Sequence, residues 1–138
     1  MLNIEIKTIP HDQHRYSTTG DYWDEGEKEI FRVSNLSDWR FEFLVAFHEL
    51  IEKAICRYKN IPVEVIDKFD MKFDKDSSPG DEPMSPYYEQ HQIAMGFERM
   101  MATMLGVDWE KYENEVNYNR LKARDFLPFP EGDINRII

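Results

Sequence analysis

The stretch FEFLVAFHELIEKAICRY, residues 41–58, has the residue spacing of a single amphipathic helix. Steps of about 100° per residue collect its large apolar side chains on one broad arc and most of its charged ones opposite. His48 and Glu52 fall inside the apolar arc. An ionised carboxylate left unpaired in an apolar interior costs far more than the stability margin of a domain. The pattern therefore predicts a helix over about 38–58 that carries a compensated polar pair into the core.

A second stretch, YYEQHQIAMGFERMMATML at residues 87–105, repeats the arrangement. His91 and Glu98 lie within about 20° of each other, between two apolar flanks. The spacing thus predicts two core-facing helices, each of which directs one histidine and one glutamate inward.

Two kinds of structure can compensate these four side chains. They can form a buried hydrogen-bond network with one another or with Tyr and Arg side chains. Alternatively they can hold a divalent metal, since His48 and Glu52 stack at i and i+4 and can bind one ion. His91 would complete a two-histidine, one-carboxylate set, which in catalytic zinc sites leaves a fourth position for water. Glu49, beside the first ligand, is placed to act as general base, and Glu98 to orient a ligand or to add a fourth.

The pentad HELIE, residues 48–52, resembles the HExxH helix of the zincin metalloproteases, with glutamate in place of the second histidine. In that group an antiparallel sheet precedes the metal-binding helix, and a later helix supplies the third ligand. Residues 2–33, 38–58 and 87–105 match that order. The layout also resembles that of small uncharacterised phage and bacterial proteins, a resemblance that implies no activity.

The zincin resemblance implies a metal-dependent hydrolase with a peptide or amide bond as its default substrate. It implies His48, Glu52 and His91 as metal ligands and Glu49 as the catalytic glutamate. Zinc is the expected ion. A carboxylate at position 52 lowers the positive charge of the site and shifts its preference toward manganese or iron.

Other functions remain open at this point. The same three residues could hold non-haem iron, and with Glu98 the helices could hold two metals, although neither helix has the Glu-x-x-His motif of di-iron bundles. Carboxylate-bound magnesium could hydrolyse a nucleotide pyrophosphate, but magnesium prefers oxygen ligands. A non-enzymatic alternative is an acidic interaction or inhibitor protein with a structural metal or a buried polar network. The acidic segment 74–86, a predicted mobile loop, permits it.

The N-terminal third predicts strands. LNIEIKTI at 2–9 alternates in polarity, and the segments 21–23 and 28–33 flank the turn signal DEG at 24–26. These features favour a small antiparallel sheet of about three strands, two of them in a hairpin.

Three to four helices follow the strands without a βαβ alternation, which is typical of an α+β fold with zincin-like element order. Pro62 opens a second helix, and a fourth starts near residue 108. We expect one domain over 1–138, mainly β in 1–36, mainly helical in 37–123, with an irregular tail in 124–138 that packs back on the domain.

The charge balance is acidic, with 17 Lys and Arg against 27 Asp and Glu and a net charge of −10. Nucleic-acid binding needs a basic face and is not expected. No signal-peptide block and no apolar run of about 20 residues is present, and the single cysteine, Cys56, fits a reducing compartment. We therefore expect a cytoplasmic protein, away from membranes, that acts on a peptide or small-molecule substrate or binds a basic-surfaced protein.

Overall fold

A three-stranded sheet forms the N-terminal part of the molecule. The computed structural model describes residues 1–73 and 78–126, with side chains up to residue 118. The strands are β1 (Ile4–Ile9), β2 (Gly20–Glu25) and β3 (Lys28–Ser34), in the order β1-β3-β2. β2 and β3 form the predicted hairpin, and Gly26 takes a φ of +60° in its turn, a region that glycine tolerates without strain.

The sheet is mixed. The sequence predicts antiparallel strands throughout, but β1 runs parallel to β3, with Ile6 opposite Phe31. Alternating polarity indicates a strand and says nothing about the direction in which it pairs, and in β1 the alternating Ile4 and Ile6 remain exposed. A parallel pair needs a connection of about a dozen residues or more, and residues 10–27, which include β2, supply one. The α+β class itself is confirmed.

Four helices follow the sheet in the part of the chain that the structure describes: α1 (Trp39–Tyr58), α2 (Val63–Lys72), α3 (Tyr88–Met104) and α4 (Trp109–Phe126). The Asp38 carboxylate caps α1 by accepting from the backbone N–H of Arg40 at 2.9 Å. Past the end of α3, Gly106 takes a φ of +67°. None of these helices has both the length and the apolar character that crossing a membrane requires.

Two predicted irregular segments differ in detail from the structure. An irregular tail is expected from residue 124, but α4 continues to Phe126 through good helix formers such as leucine, lysine, alanine and arginine. The expected packing of the tail, and residues 74–77 of the expected loop, lie outside the described residues. Within the rest of that loop, Pro79–Asp81 forms a turn of 3₁₀ helix.

Helices α1 and α3 run antiparallel and place their polar residues between two apolar clusters. The first cluster contains Val33, Phe41, Leu44, Val45, Ala46, Ala102 and Tyr112. The second contains Tyr22, Phe31, Cys56, Ile66 and Tyr87. Along both helices, His48, Glu52, His91 and Glu98 lie between these clusters and are 4–7% exposed. The predicted inward orientation of all four side chains is confirmed.

Candidate metal centre

One turn of α1 supplies two of the predicted ligands. His48 and Glu52 are four residues apart on the helix, and Nε2 of His48 lies 3.1 Å from Oε2 of Glu52. Both side chains are buried, so the imidazole and the carboxylate meet with little access for water. The helical spacing alone brings this pair together.

Helix α3 brings the third predicted ligand to the same point. Nδ1 of His91 lies 2.8 Å from Oε2 of Glu52 and 3.1 Å from Nε2 of His48. Two nitrogens and one oxygen, from residues up to 43 positions apart, are thus each within 3.1 Å of the other two. This group, called here the inward triad, has the composition and spacing of a possible metal site.

Three further side chains form hydrogen bonds that orient the inward triad. Glu98 Oε1 lies 2.6 Å from Nδ1 of His48, on the far side of that ring from the triad, and the Tyr112 hydroxyl donates to Glu98 Oε2. The Tyr22 hydroxyl donates to Oε1 of Glu52 at 2.7 Å. Of the two roles predicted for Glu98, this position suits an orienting group and not a fourth ligand.

The outer nitrogen of His91 also faces a carboxylate. Its Nε2 lies 3.2 Å from Oδ1 of Asp81, an ion-pair distance, although the approach is not aligned for a hydrogen bond. Contact with His91 lowers the pKa of Asp81 below its usual value. Each histidine of the triad therefore directs one nitrogen inward and has a carboxylate behind the other.

The protein environment shifts the pKa of every member of the triad toward its charged form. Burial opposes the charge, but hydrogen bonds with Glu52 and Glu98 raise the pKa of His48 well above its ordinary value. Burial also lowers the pKa of His91, but contacts with Asp81 and Glu52 outweigh it and raise that pKa to about 9. Hydrogen bonds from both histidines outweigh burial at Glu52 and lower its pKa to about 2. The triad is an electrostatically coupled unit.

Glu49, the predicted general base, lies beside the triad and does not belong to it. It is half-buried, and no hydrogen bond joins its carboxylate to another described residue. Burial, followed by the charge of Glu52, raises the pKa of Glu49 well above the usual value. The first residue of β2, Gly20, packs directly against this side chain. A Cβ at Gly20 would lie only 2.6 Å from Oε1 of Glu49.

An open cleft gives access to these residues. It has a volume of about 560 Å³, and its walls include the start of β2, the turn at Asp81, and residues Trp109 and Tyr112 of α4. His48, Glu49 and His91 line it. The triad edge and the Glu49 carboxylate are therefore both reachable by a molecule in the cleft.

The sequence does not reveal several residues that shape the site. Tyr22 and Tyr112 have the inward spacing of ordinary core residues, and their hydroxyl contacts depend on the packing of different elements. Asp81 lies in a segment without periodicity. Gly20 and Gly80 matter only because other side chains approach them closely, and nothing in the local sequence signals such an approach.

No protein-family model, curated protein or solved structure matches this chain. The zincin resemblance of HELIE and the roles that it implies therefore stay predictions, supported by the geometry of the site alone.

Proposed function

We propose that the protein is a metal-dependent hydrolase with a zincin-like centre, in which His48, Glu52 and His91 bind one divalent ion and Glu49 is the general base. A peptide or amide bond is the default substrate. The observation that carries the proposal is the convergence of Nε2, Oε2 and Nδ1 of these ligands to within 3.1 Å of one another.

The partners of the two imidazole rings favour a cation at this point. A carboxylate accepts hydrogen bonds and cannot donate them when ionised, so Glu98 favours a proton on Nδ1 of His48. The charge of Asp81, whose Oδ1 lies 3.2 Å from Nε2 of His91, likewise favours a proton on that nitrogen. In the neutral rings both inward nitrogens then carry bare lone pairs, and they face a carboxylate oxygen. Three converging lone pairs repel each other unless protons or a cation lie between them.

The distances fit a small divalent ion. Zinc binds nitrogen and oxygen ligands at about 2.0–2.2 Å, which separates ligand atoms in a tetrahedral site by about 3.3 Å. The triad atoms are 2.8–3.1 Å apart, so a movement of a few tenths of an ångström would admit the ion. We propose zinc first, with manganese or iron as alternatives, because one ligand is a carboxylate.

The residues around the triad divide the chemistry between them. A divalent ion bound there supplies a Lewis acid that lowers the pKa of water and polarises a carbonyl. The carboxylate of Glu49 takes the proton of the attacking water and later returns it to the leaving amine. Glu98 and Tyr22 keep the rings and carboxylate of the triad oriented. The cleft positions the substrate carbonyl at the triad edge.

The proposal includes a cytoplasmic location. The chain has one cysteine, Cys56, which is buried and free, so the described fold uses no disulfide. Burial raises the pKa of its thiol to about 12, so it contributes no reactive thiolate.

Metal content of protein purified without an affinity tag or chelator tests the proposal, followed by zinc titration. We expect about one equivalent of bound zinc, manganese or iron, and its loss in His91→Ala. Glu89→Ala, an exposed position on the same helix, is the control and should bind as the parent does.

Failure of the parent to bind any of several divalent ions would overturn the proposal. The inward residues would then be a buried polar network in which the two histidines are protonated. An acidic interaction protein with a basic-surfaced partner would then be the better account of the net charge of −10.

A further inference from the structure

The Pro79–Asp81 turn covers one face of the His91 ring. Gly80 is buried there, and a Cβ at this position would lie 2.4 Å from both Cγ and Nδ1 of His91. Real Cβ contacts are not this short. Only glycine lets the backbone of the turn approach the imidazole so closely.

Asp81 follows directly and meets the other end of the same ring. Its Oδ1 lies 3.2 Å from Nε2 of His91 and accepts from the side-chain amide of Gln92 at 3.1 Å. The backbone N–H of Asp81 donates to the carbonyl of Ser78 at 3.0 Å, which closes the turn. The amide of Gln92 therefore holds the carboxylate, and the turn holds its backbone, while the carboxylate faces the imidazole.

These contacts have a consequence for the choice of nitrogen. His48 presents Nε2 to the triad, whereas His91 presents Nδ1, the nitrogen nearer the backbone. An imidazole can rotate to offer either nitrogen unless its ring is blocked on its face and paired at its edge. Gly80 blocks the face, and Asp81 pairs the edge.

We infer that the Pro79–Asp81 turn is a positioning element for the metal, in which Gly80 and Asp81 fix the ring of His91 so that Nδ1 is the ligating nitrogen. The inference rests on the proposed metal site and adds two residues to it. Neither residue touches the ion or the substrate. Both act through His91.

The first test compares two glycine substitutions. Gly80→Ala should lower zinc affinity by about 10–100-fold or more, because its methyl group displaces the His91 ring. Gly96→Ala is the matched control, since it lies on α3, five positions beyond His91, in open space, and should bind zinc as the parent does. Affinity is measured by competition with a chromophoric chelator on protein whose fold is verified by circular dichroism.

The second test removes the carboxylate and keeps the fold. Asp81→Ala should lower zinc affinity by about 10–100-fold, and Asp81→Asn, whose amide oxygen still accepts, should recover part of it. Nitrogen-15 NMR of the imidazole rings gives a readout that stability alone does not affect. In the zinc-loaded parent, His91 should show a protonated Nε2 and a metal-bound Nδ1. In Asp81→Ala the ring should ligate through a mixture of the two nitrogens.

The outcomes separate the two proposals. If the parent binds no metal, the proposed function fails. If the parent binds zinc through His91, and Gly80→Ala and Asp81→Ala bind it with the same affinity and the same ligating nitrogen, only the role of the turn is overturned. Should Gly80→Ala not fold, the Asp81 variants decide the question alone.

Discussion

Both carboxylate oxygens of the buried Glu98 have a hydrogen-bond partner. One of its oxygens meets Nδ1 of His48, and the other accepts from the hydroxyl of Tyr112. Because both partners are buried, loss of either leaves a charged oxygen without compensation. The position of His48 therefore depends on a tyrosine that lies 64 residues further along the chain.

Tyr112→Phe tests this dependence. It keeps the ring in the apolar cluster and removes only the donor. We expect unfolding free energy to fall by about 1–3 kcal/mol in urea titrations, because Glu98 loses a buried partner. Zinc affinity should also fall by about tenfold through His48. Tyr58→Phe, on an 80% exposed side chain, is the control and should change neither quantity. An unchanged stability for Tyr112→Phe would contradict the account.

The substitution Glu49→Gln tests whether Glu49 acts as a general base or as a metal ligand. The amide cannot accept the proton of water, so we expect zinc to stay bound and hydrolysis of a peptide substrate library to fall by about 10²-fold or more. Glu110→Gln, an exposed carboxylate on α4, should leave both unchanged. Loss of zinc in Glu49→Gln would make Glu49 a ligand and leave the proposed mechanism without a base.

At the scale of elements, the approach of β2 to α1 decides where Glu49 can lie. A Cβ at Gly20 would be 2.6 Å from Oε1 of Glu49 and 2.8 Å from Cγ1 of Val45. The strand can start against the helix only because no side chain lies between them. The same principle operates at Gly80 and His91, so close backbone approach shapes both sides of the site.

Gly20→Ala should therefore disturb stability and activity together. The added methyl group has to displace Glu49 or Val45, which we expect to cost about 1–3 kcal/mol of unfolding free energy. Hydrolysis should fall while zinc affinity changes little, because the triad does not touch this glycine. Thermal unfolding and zinc titration measure the two effects, with Gly96→Ala as the control. Equal activity in Gly20→Ala and the parent would show that the exact place of Glu49 is unimportant.

The segment between β1 and β2 carries a separate pH dependence at His14. Nε2 of His14 lies 2.9 Å from Oγ of Ser34, and burial, with a smaller effect of His11, lowers its pKa to about 4. Between this value and the unfolded value of about 6.5, the unfolded chain binds more protons than the native one. The stability that the neutral His14 contributes is therefore fully present above pH 6.5 and is lost as the pH falls toward 4.

We expect His14 to contribute about 1–2 kcal/mol to this loss, after allowance for its partial exposure. The check is the unfolding free energy in urea between pH 7 and 4, with a chelator present throughout so that metal release plays no part. His14→Gln should be less stable at pH 7 and show a shallower slope. The idea is wrong if both proteins have the same slope over this range.

At the scale of the whole molecule, the inward triad and its hydrogen-bond partners join four elements of the fold. The triad atoms come from α1 and α3, and the hydroxyls that hold Glu52 and Glu98 come from β2 and α4. An ion bound there would stabilise the packing of all four elements. Bound metal and folding stability should consequently be linked.

Zinc at about 100 times its dissociation constant should add about 2.7 kcal/mol to the unfolding free energy. For a chain of this size, that raises Tm by on the order of 10 °C. Calorimetry of the zinc-loaded and chelator-treated protein measures the shift, and His91→Ala should show none. An identical Tm with and without zinc in the parent would contradict a site formed by the native fold.

Helical periodicity is sufficient to predict α1 and α3 and the inward direction of His48, Glu52, His91 and Glu98, because these properties depend on residues within a few turns. The α+β class also follows from local signals, namely strand alternation, the hairpin turn and the helix starts. Residue spacing predicts a metal-binding pair on α1 for the same reason. Each of these signals lies within one segment, so the residues of that segment are sufficient to produce it.

The remaining features depend on contacts between segments distant in sequence. Neither the parallel pairing of β1, nor the inward position of Nδ1 of His91, nor the approach of Gly80 and Asp81 to that ring has a local signal. Tyr22 and Tyr112 become partners of the site carboxylates only after the sheet and α4 pack on α1 and α3. The alternation of polar and apolar residues is the same in parallel and antiparallel strands. A glycine in an open loop likewise has the same local sequence signal as one packed against an imidazole. Tertiary packing alone distinguishes these cases, because it determines which atoms meet.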